Sequence, residues 1–300
     1  MMKVSCLHPY VRTLAGAFDS SGLQVYQVFP CGKCPVCKAA DGRDWIFRLN
    51  VEADNSINSY FLTLTYNEKN IVRSGSVGIL VKRDLQLFIK RLRSRIARSF
   101  PENSNVRFFG IGEYGGTTHR PHYHVILFNL PAVRNLRKII EDCWHKGFIT
   151  LSSVNPQRIS YVANYSLFSF LFSDNENSEI PTPFRVMSRR PGIGSSYISL
   201  DRYNRHNEQD IPFARYKNYI YRLPRFFKDK FFDTVEVRER IQNNINRYKQ
   251  QEADIYEAMY GAMDAARAKY CLSTVMQDFE KQFVDNLRKQ YIIHKLHRKL

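Results

Sequence analysis

VRFFGIGEYGGTTHRPHYHVILFNL, residues 106–130, decides the fold. Two apolar runs flank a stretch rich in Gly and Thr, the pattern of a β-hairpin. Along the second arm, RPHYHVILF (120–128), side chains two apart share a face. His122 and His124 therefore project together, while Tyr123, Val125 and Leu127 point the other way into a core. Antiparallel pairing with the first arm brings Glu113 close to the histidines. Two imidazoles and one carboxylate with open positions suit magnesium or manganese, with a phosphate as the remaining ligand. The plainer alternative is a pair of polar residues at the wet end of a strand.

Outward from the hairpin the pattern stays regular. SYFLTLTYNE (59–68) reads as a strand. VKRDLQLFIKRLRSRIARSF (81–100) sets Leu85, Phe88, Ile89, Leu92 and Ile96 at helical spacing against a Lys/Arg face. Residues 131–147 read as a helix with Pro in its first turn and Gly at its end, and 148–154 as a short strand. A helix over 155–172 opens with Asn155 as N-cap and Pro156 at the first helical position. This order predicts an α+β domain with a mainly antiparallel sheet flanked by helices. Around that core, 1–54 reads as an irregular Cys-rich module, 55–185 as the core domain, 186–228 as a basic loop region and 229–300 as helical.

The 45 Lys and Arg against 28 Asp and Glu give a net charge of +17, which points to a polyanionic partner. With 21 Phe and 18 Tyr, cations that track phosphates and rings that stack on bases suit a single strand of nucleic acid. A hydrophobic fraction of 44% supports a buried core and argues against disorder. No apolar run is long enough to span a membrane, and the start, MMKVSCLHPY, lacks the apolar segment of a secretion signal. In such a chain reduced thiols or metal ligands are expected in place of disulfides. Cys31, Cys34 and Cys37 follow C-x-x-C-x-x-C, and Cys6 completes a set of four thiols, with His8 as an alternative fourth. Structural zinc is the leading reading, beside free thiols or an iron–sulfur cluster. Cys143 and Cys271 read as buried thiols.

A metal that activates a phosphodiester still needs a nucleophile. In ISYVANYSLF (159–168), Ile159, Val162, Ala163, Ser166 and Phe170 form one helical stripe, and Tyr161 and Tyr165 fall on the opposite, exposed side one turn apart. They are either packing residues or a pair of nucleophiles.

FLTLT (61–65), RPHYHVILF and YVANY (161–165), in that order, resemble the three motifs of HUH-superfamily replication initiators. PCGKCPVC (30–37) and MSRRPGIGSSY (187–197) are similar to segments of the initiators of gokushovirus-like Microviridae, small single-stranded DNA phages. The resemblance implies an HUH, RRM-like core in which His122, His124 and Glu113 hold magnesium or manganese. It implies that Tyr161 and Tyr165 act as the tyrosine pair, with Tyr165 favoured to attack first. The implied activity is that of a nickase and ligase for rolling-circle replication, cutting phage origin DNA through a 5′-phosphotyrosyl intermediate in the bacterial cytoplasm. Host replication proteins are further expected partners. The family usually places a lysine three residues after the second tyrosine, and here that residue is Phe168, so compensation falls to Arg158 or Lys146. An HUH transposase or relaxase is a second reading, and a non-catalytic zinc-containing single-strand binder a third. Arg189, Arg190, Arg120, Lys90 and Arg93 are the candidate DNA contacts.

Overall fold

A computed structural model of the chain describes residue 6 and residues 10–18, 24–115, 118–165, 180–232, 234, 236–241 and 243. His8, Phe168, Cys271, the second half of the expected 155–172 helix and the helical region expected beyond residue 243 lie outside the described residues. The described residues form two compact units, one built on 45–165 with 180–199 and the other on 6–44 with 200–243.

The chain opens with a hairpin of β1 (Tyr10–Phe18) and β2 (Gln24–Phe29), then α1 (Pro35–Asp54). There follow β3 (Ser59–Tyr66), a minor hairpin of β4 (Arg73–Ser74) and β5 (Val77–Gly78), and α2 (Lys82–Ser99). The central hairpin is β6 (Arg107–Tyr114) and β7 (Pro121–Phe128). Next come α3 (Leu136–Trp144), β8 (Gly147–Ser153), α4 (Pro156–Ala163) and β9 (Phe184–Met187). The second unit adds α5 (Leu200–Glu208), the hairpin of β10 (Phe213–Tyr216) and β11 (Tyr219–Arg222), and α6 (Arg225–Phe231).

Five strands form one antiparallel sheet in the order β8-β3-β7-β6-β9. Alternation sends Leu62, Leu64, Tyr66, Tyr123, Val125 and Leu127 to one face, where α2 and α3 cover them. From α2 the buried residues are Leu85, Phe88, Ile89, Leu92 and Ile96, the stripe expected from the sequence, joined by Asp84. Each fully buried Leu or Phe on such a face contributes about 1.5–3 kcal/mol. Asp84 survives burial because Tyr66 donates its hydroxyl to it at 2.7 Å and Lys146 Nζ lies 3.1 Å away. Tyr66 also bonds Tyr123 at 2.8 Å, and the amide of Val81 donates to Tyr123 at 2.9 Å. Burial pushes the Tyr123 phenol up to about 12, so the tyrosine between the two histidines stays neutral and structural.

On the other face α1 brings Trp45 against Phe109, with ring centroids 4.9 Å apart. Beside it Glu52 and Arg107, each 6% exposed, form a buried ion pair. The second Glu52 oxygen accepts the amide of Gly194 at 2.7 Å, and Arg107 donates to the carbonyl of Gly192 at 3.0 Å. The basic 186–197 segment is thereby fixed to the core.

Several sequence expectations change. Residues 35–54, expected to be irregular, are a helix that starts on Pro35 and buries Phe47, Leu49 and Val51; Gly42 and interspersed charges obscure its period. Residues 184–187, expected to be loop, are an edge strand too short to show alternation. The basic region also contains α5 and the β10-β11 hairpin. The third helix begins at Leu136, five residues later than its proline suggests, and ends where His145 turns left-handed at φ 42.

Candidate metal centre

The register of the sheet assembles the centre. Glu113 on β6 pairs directly with His122 on β7, and across β7 the next strand sets Thr65 opposite His122 and Thr63 opposite His124. All five side chains therefore share the sheet face opposite α2 and α3. His122 Nε2 and His124 Nε2 each lie 3.1 Å from Glu113 Oε1, and the Tyr161 hydroxyl donates to the same oxygen.

The far nitrogens fix the rings. His122 Nδ1 lies 3.0 Å from the carbonyl of Arg120, which only accepts, so Nδ1 carries a proton. His124 Nδ1 lies 3.0 Å from Thr63 Oγ1. With Nδ1 as donor in both rings, the two Nε2 lone pairs are directed at the Glu113 oxygen, the tautomer a metal ligand requires. Phe61 stacks on His124 with centroids 5.4 Å apart and leaves that imidazole 3% exposed. Burial alone would raise the Glu113 pKa, but His124 and His122 outweigh it and hold the carboxyl well below the usual range. Glu113 is thus a carboxylate at any working pH.

These three groups fit a small divalent cation. Adjacent ligands of an octahedral ion bound at about 2.1 Å stand about 3.0 Å apart, close to the 3.1 Å between each imidazole nitrogen and the carboxylate oxygen.

The structure also corrects the placement of the tyrosines. Tyr161 is 5% and Tyr165 6% exposed, so neither stands on a wet helix face. The side of α4 opposite its aliphatic stripe turns onto the metal-ligand face, which the helical period alone does not reveal. Asn155 caps α4 as expected, its side chain accepting the Arg158 amide at 2.8 Å. Of the two cations expected to compensate for Phe168, Lys146 is committed to Asp84 on the far face. Arg158 stays on the near face, its guanidinium 5.6 Å over the ring of Phe61 and donating to the carbonyl of Ser153.

The candidate DNA contacts are not gathered at the centre. Arg120 adjoins it but bonds Glu68 and the carbonyl of Tyr66, the latter at 2.9 Å. Lys90 and Arg93 lie on α2, across the sheet. Arg93 donates to the carbonyl of Val106 and to Ser188 Oγ, both at 2.9 Å, and so braces the core. Arg189 and Arg190 are exposed just beyond β9. Ser188 bonds Phe108, five residues from Glu113 along β6, which puts the two arginines roughly 17 Å from the carboxylate. Thr63 is the centre residue that sequence reading passed over, although the alternation of FLTLT pairs it with His124.

In the other unit, Cys6, Cys31, Cys34 and Cys37 bring their four sulfurs within 4.8 Å of one another. The Cys6–Cys34 and Cys31–Cys37 separations are 4.0 Å, against about 3.8 Å for a tetrahedral zinc site with bonds of about 2.3 Å. Burial resists ionisation of Cys31, but the amides of Cys34 and Lys33, at 3.3 and 3.4 Å, help lower its pKa to about 6. Burial pushes Cys37 up to about 12. Four thiols at this spacing fit a structural metal.

The family model for replication-associated proteins of the ORF2 type matches residues 59–167, the span that carries the whole Glu-His-His group and both tyrosines. Replication-associated protein VP4 of Bdellovibrio phage phiMH2K is 28% identical, covering 63% of this chain and 66% of that protein. Replication-associated protein ORF2 of Spiroplasma virus 4 is 27% identical over 70% of this chain and 68% of its own length. This chain is related to the phage replication-associated proteins. A third relative, ORF4 of Chlamydia phage 1, is 25% identical over 71% of this chain and 56% of that protein. The match to these replication-associated proteins thus spans about two thirds of their length or less. Among solved structures, the hypothetical protein ORF119 from Sulfolobus islandicus rod-shaped virus 1 matches 44% of this chain and 96% of that chain, with 22% identity and a TM-score of 0.28. Among the described residues no helix is long and apolar enough to cross a membrane.

Proposed function

We propose that the chain initiates replication of a small DNA phage in its bacterial host by nicking one strand of the genome and later rejoining it. The observation that carries this reading is the convergence of His122, His124 and the hydroxyl of Tyr161 on a single oxygen of Glu113. A nucleophile and a metal-ligand set share one point, in a protein of net charge +17.

His122, His124 and Glu113 would hold magnesium or manganese, which when bound polarises a phosphodiester and offsets the charge that develops on it. The protein's own groups supply the rest. Thr63 and the Arg120 carbonyl hold both imidazoles in the metal-binding tautomer. Glu113 accepts the hydrogen bond of Tyr161 and stands where the phenol's proton must go. The Tyr161 oxygen then bonds to phosphorus as the bond to the 3′ oxygen breaks, and that oxygen takes a proton from water. A 5′-phosphotyrosyl protein and a free 3′-OH result. Attack of a 3′-OH on this ester reverses the exchange and rejoins the strand, and Tyr165, one turn on, is placed for a second transfer. Tyr161 is the better first nucleophile, because its hydroxyl is the one bonded to the ligand carboxylate. Arg158 is the cation on the same face for the non-bridging oxygens. The Cys6, Cys31, Cys34 and Cys37 group holds zinc as a structural ion.

The test is cleavage of a single-stranded DNA pool of random sequence in manganese. The wild-type protein releases 3′-OH ends and becomes covalently attached, and EDTA, His122→Ala or His124→Ala abolish both products. Equal cleavage by His124→Ala would refute the proposed centre.

A further inference from the structure

The same sheet face has an uncovered end. Phe148, Thr65, His122 and Glu113 are directly paired on four successive strands, β8, β3, β7 and β6, so their side chains form one row across the sheet. Strands about 4.8 Å apart put Phe148 about 10 Å from His122. Phe148 is 69% exposed. Its neighbours on β8 explain why it is not a core residue. Ile149 is buried and Leu151 packs against the α2/α3 core, whereas Phe148 and Thr150 point to the ligand face. Among the described residues of this unit, Phe148 is the exposed aromatic ring, the other large exposed apolar side chains being Ile57 and Val72. An edge strand is ordinarily protected by charge, and at this position β8 instead presents a phenyl ring. Thr65, between Phe148 and His122, is half-buried, and its hydroxyl bonds the carbonyl of Phe148 at 3.4 Å.

We infer that Phe148 is a stacking platform for an unpaired DNA base next to the phosphate held at the Glu113–His122–His124 centre. The inference rests on the nicking reading for the identity of the strand, but its geometry is independent of which tyrosine attacks. The ring offers a sequence-tolerant apolar face, one strand beyond the residue that flanks His122. A stacked base would fix the strand's register against the centre, which the distant Arg189 and Arg190 cannot do. The platform also requires the base to be unpaired, so it selects single-stranded over duplex DNA.

Binding of a fluorescein-labelled single-stranded oligonucleotide, followed by anisotropy, tests the inference without cleavage. Phe148→Ala weakens binding about tenfold, within the range found when one stacking ring is removed. Phe148→Tyr retains wild-type affinity, and Ile57→Ala, which removes an equally exposed apolar side chain, does so as well. Phe148→Trp adds an indole whose emission falls when the oligonucleotide binds, against the buried background of Trp45 and Trp144. Wild-type affinity in Phe148→Ala, or unchanged emission in Phe148→Trp, overturns the platform. So does a dimer that Phe148→Ala converts to monomer with no change in DNA affinity, since Phe148 would then be a protein contact. Failure of the nicking reading shows separately, as absence of covalent product from a wild-type protein that still binds.

Discussion

Replacing Glu52 by Gln removes one charge and almost no volume, and the structure predicts a large cost. Glu52 and Arg107 are each 6% exposed, so the guanidinium has no water to replace its partner. The carboxylate accepts from Arg107 and, at 2.7 Å, from the amide of Gly194. A glutamine presents two N–H donors where it must receive donors, so at least one group loses its acceptor. Breaking a buried pair on one side costs about 3–5 kcal/mol. With a urea m-value of about 2 kcal/mol/M, the midpoint falls by about 1.5–2.5 M. Trp45 and Trp144, both buried in this unit, report the transition by fluorescence. The double variant Glu52→Met/Arg107→Met recovers most of the loss, because no buried charge remains. A Glu52→Gln protein within about 1 kcal/mol of wild type would refute the reasoning; the Gly192–Gly194 turn would then be held by something other than this pair.

Three further outcomes follow from the geometry. Thr63→Val keeps the shape but removes the oxygen that orients His124 Nδ1, so manganese affinity by calorimetry falls about 10- to 100-fold. At pH 7.5 Cys31 is already a thiolate and Cys37 still a thiol; zinc uptake therefore releases at least the Cys37 proton, and the observed heat varies with the buffer's own ionisation heat. Below about pH 6 Cys31 holds its proton too, so zinc affinity falls more steeply with acid, and a heat independent of buffer contradicts the assignment. Gly147→Ala would drive a Cβ into the backbone carbonyl of Thr65 at the start of β8, costing about 1–3 kcal/mol in the same urea experiment.

Much of this architecture is legible in the sequence, for identifiable reasons. The β6-β7 hairpin and the Glu113–His122 register follow from period-two alternation around a Gly-rich turn, and the stripe of α2 from an undisturbed helical period. The Cys6, Cys31, Cys34 and Cys37 group follows from spacing alone. What escapes is decided by tertiary contact. The α1 helix is held by packing of Phe47 and Leu49 and by the Glu52–Arg107 pair, whose partner is 55 residues away. Tyr161 and Tyr165 look solvent-facing on a helical wheel because the wheel does not show that α4 lies against the sheet. Lys146 and Arg158 are equivalent cations in the sequence, and only the fold sends one to Asp84 and the other to Phe61.

The central claim is that one point in the fold holds both the metal ligands and the attacking oxygen. Mass spectrometry of the covalent product formed with single-stranded DNA in manganese addresses it directly. The account predicts a nucleotide-bearing peptide containing Tyr161, lost in Tyr161→Phe and absent when Glu113 is replaced by Gln. A modification on a residue outside 161–165, or an undiminished product in Glu113→Gln, would contradict it.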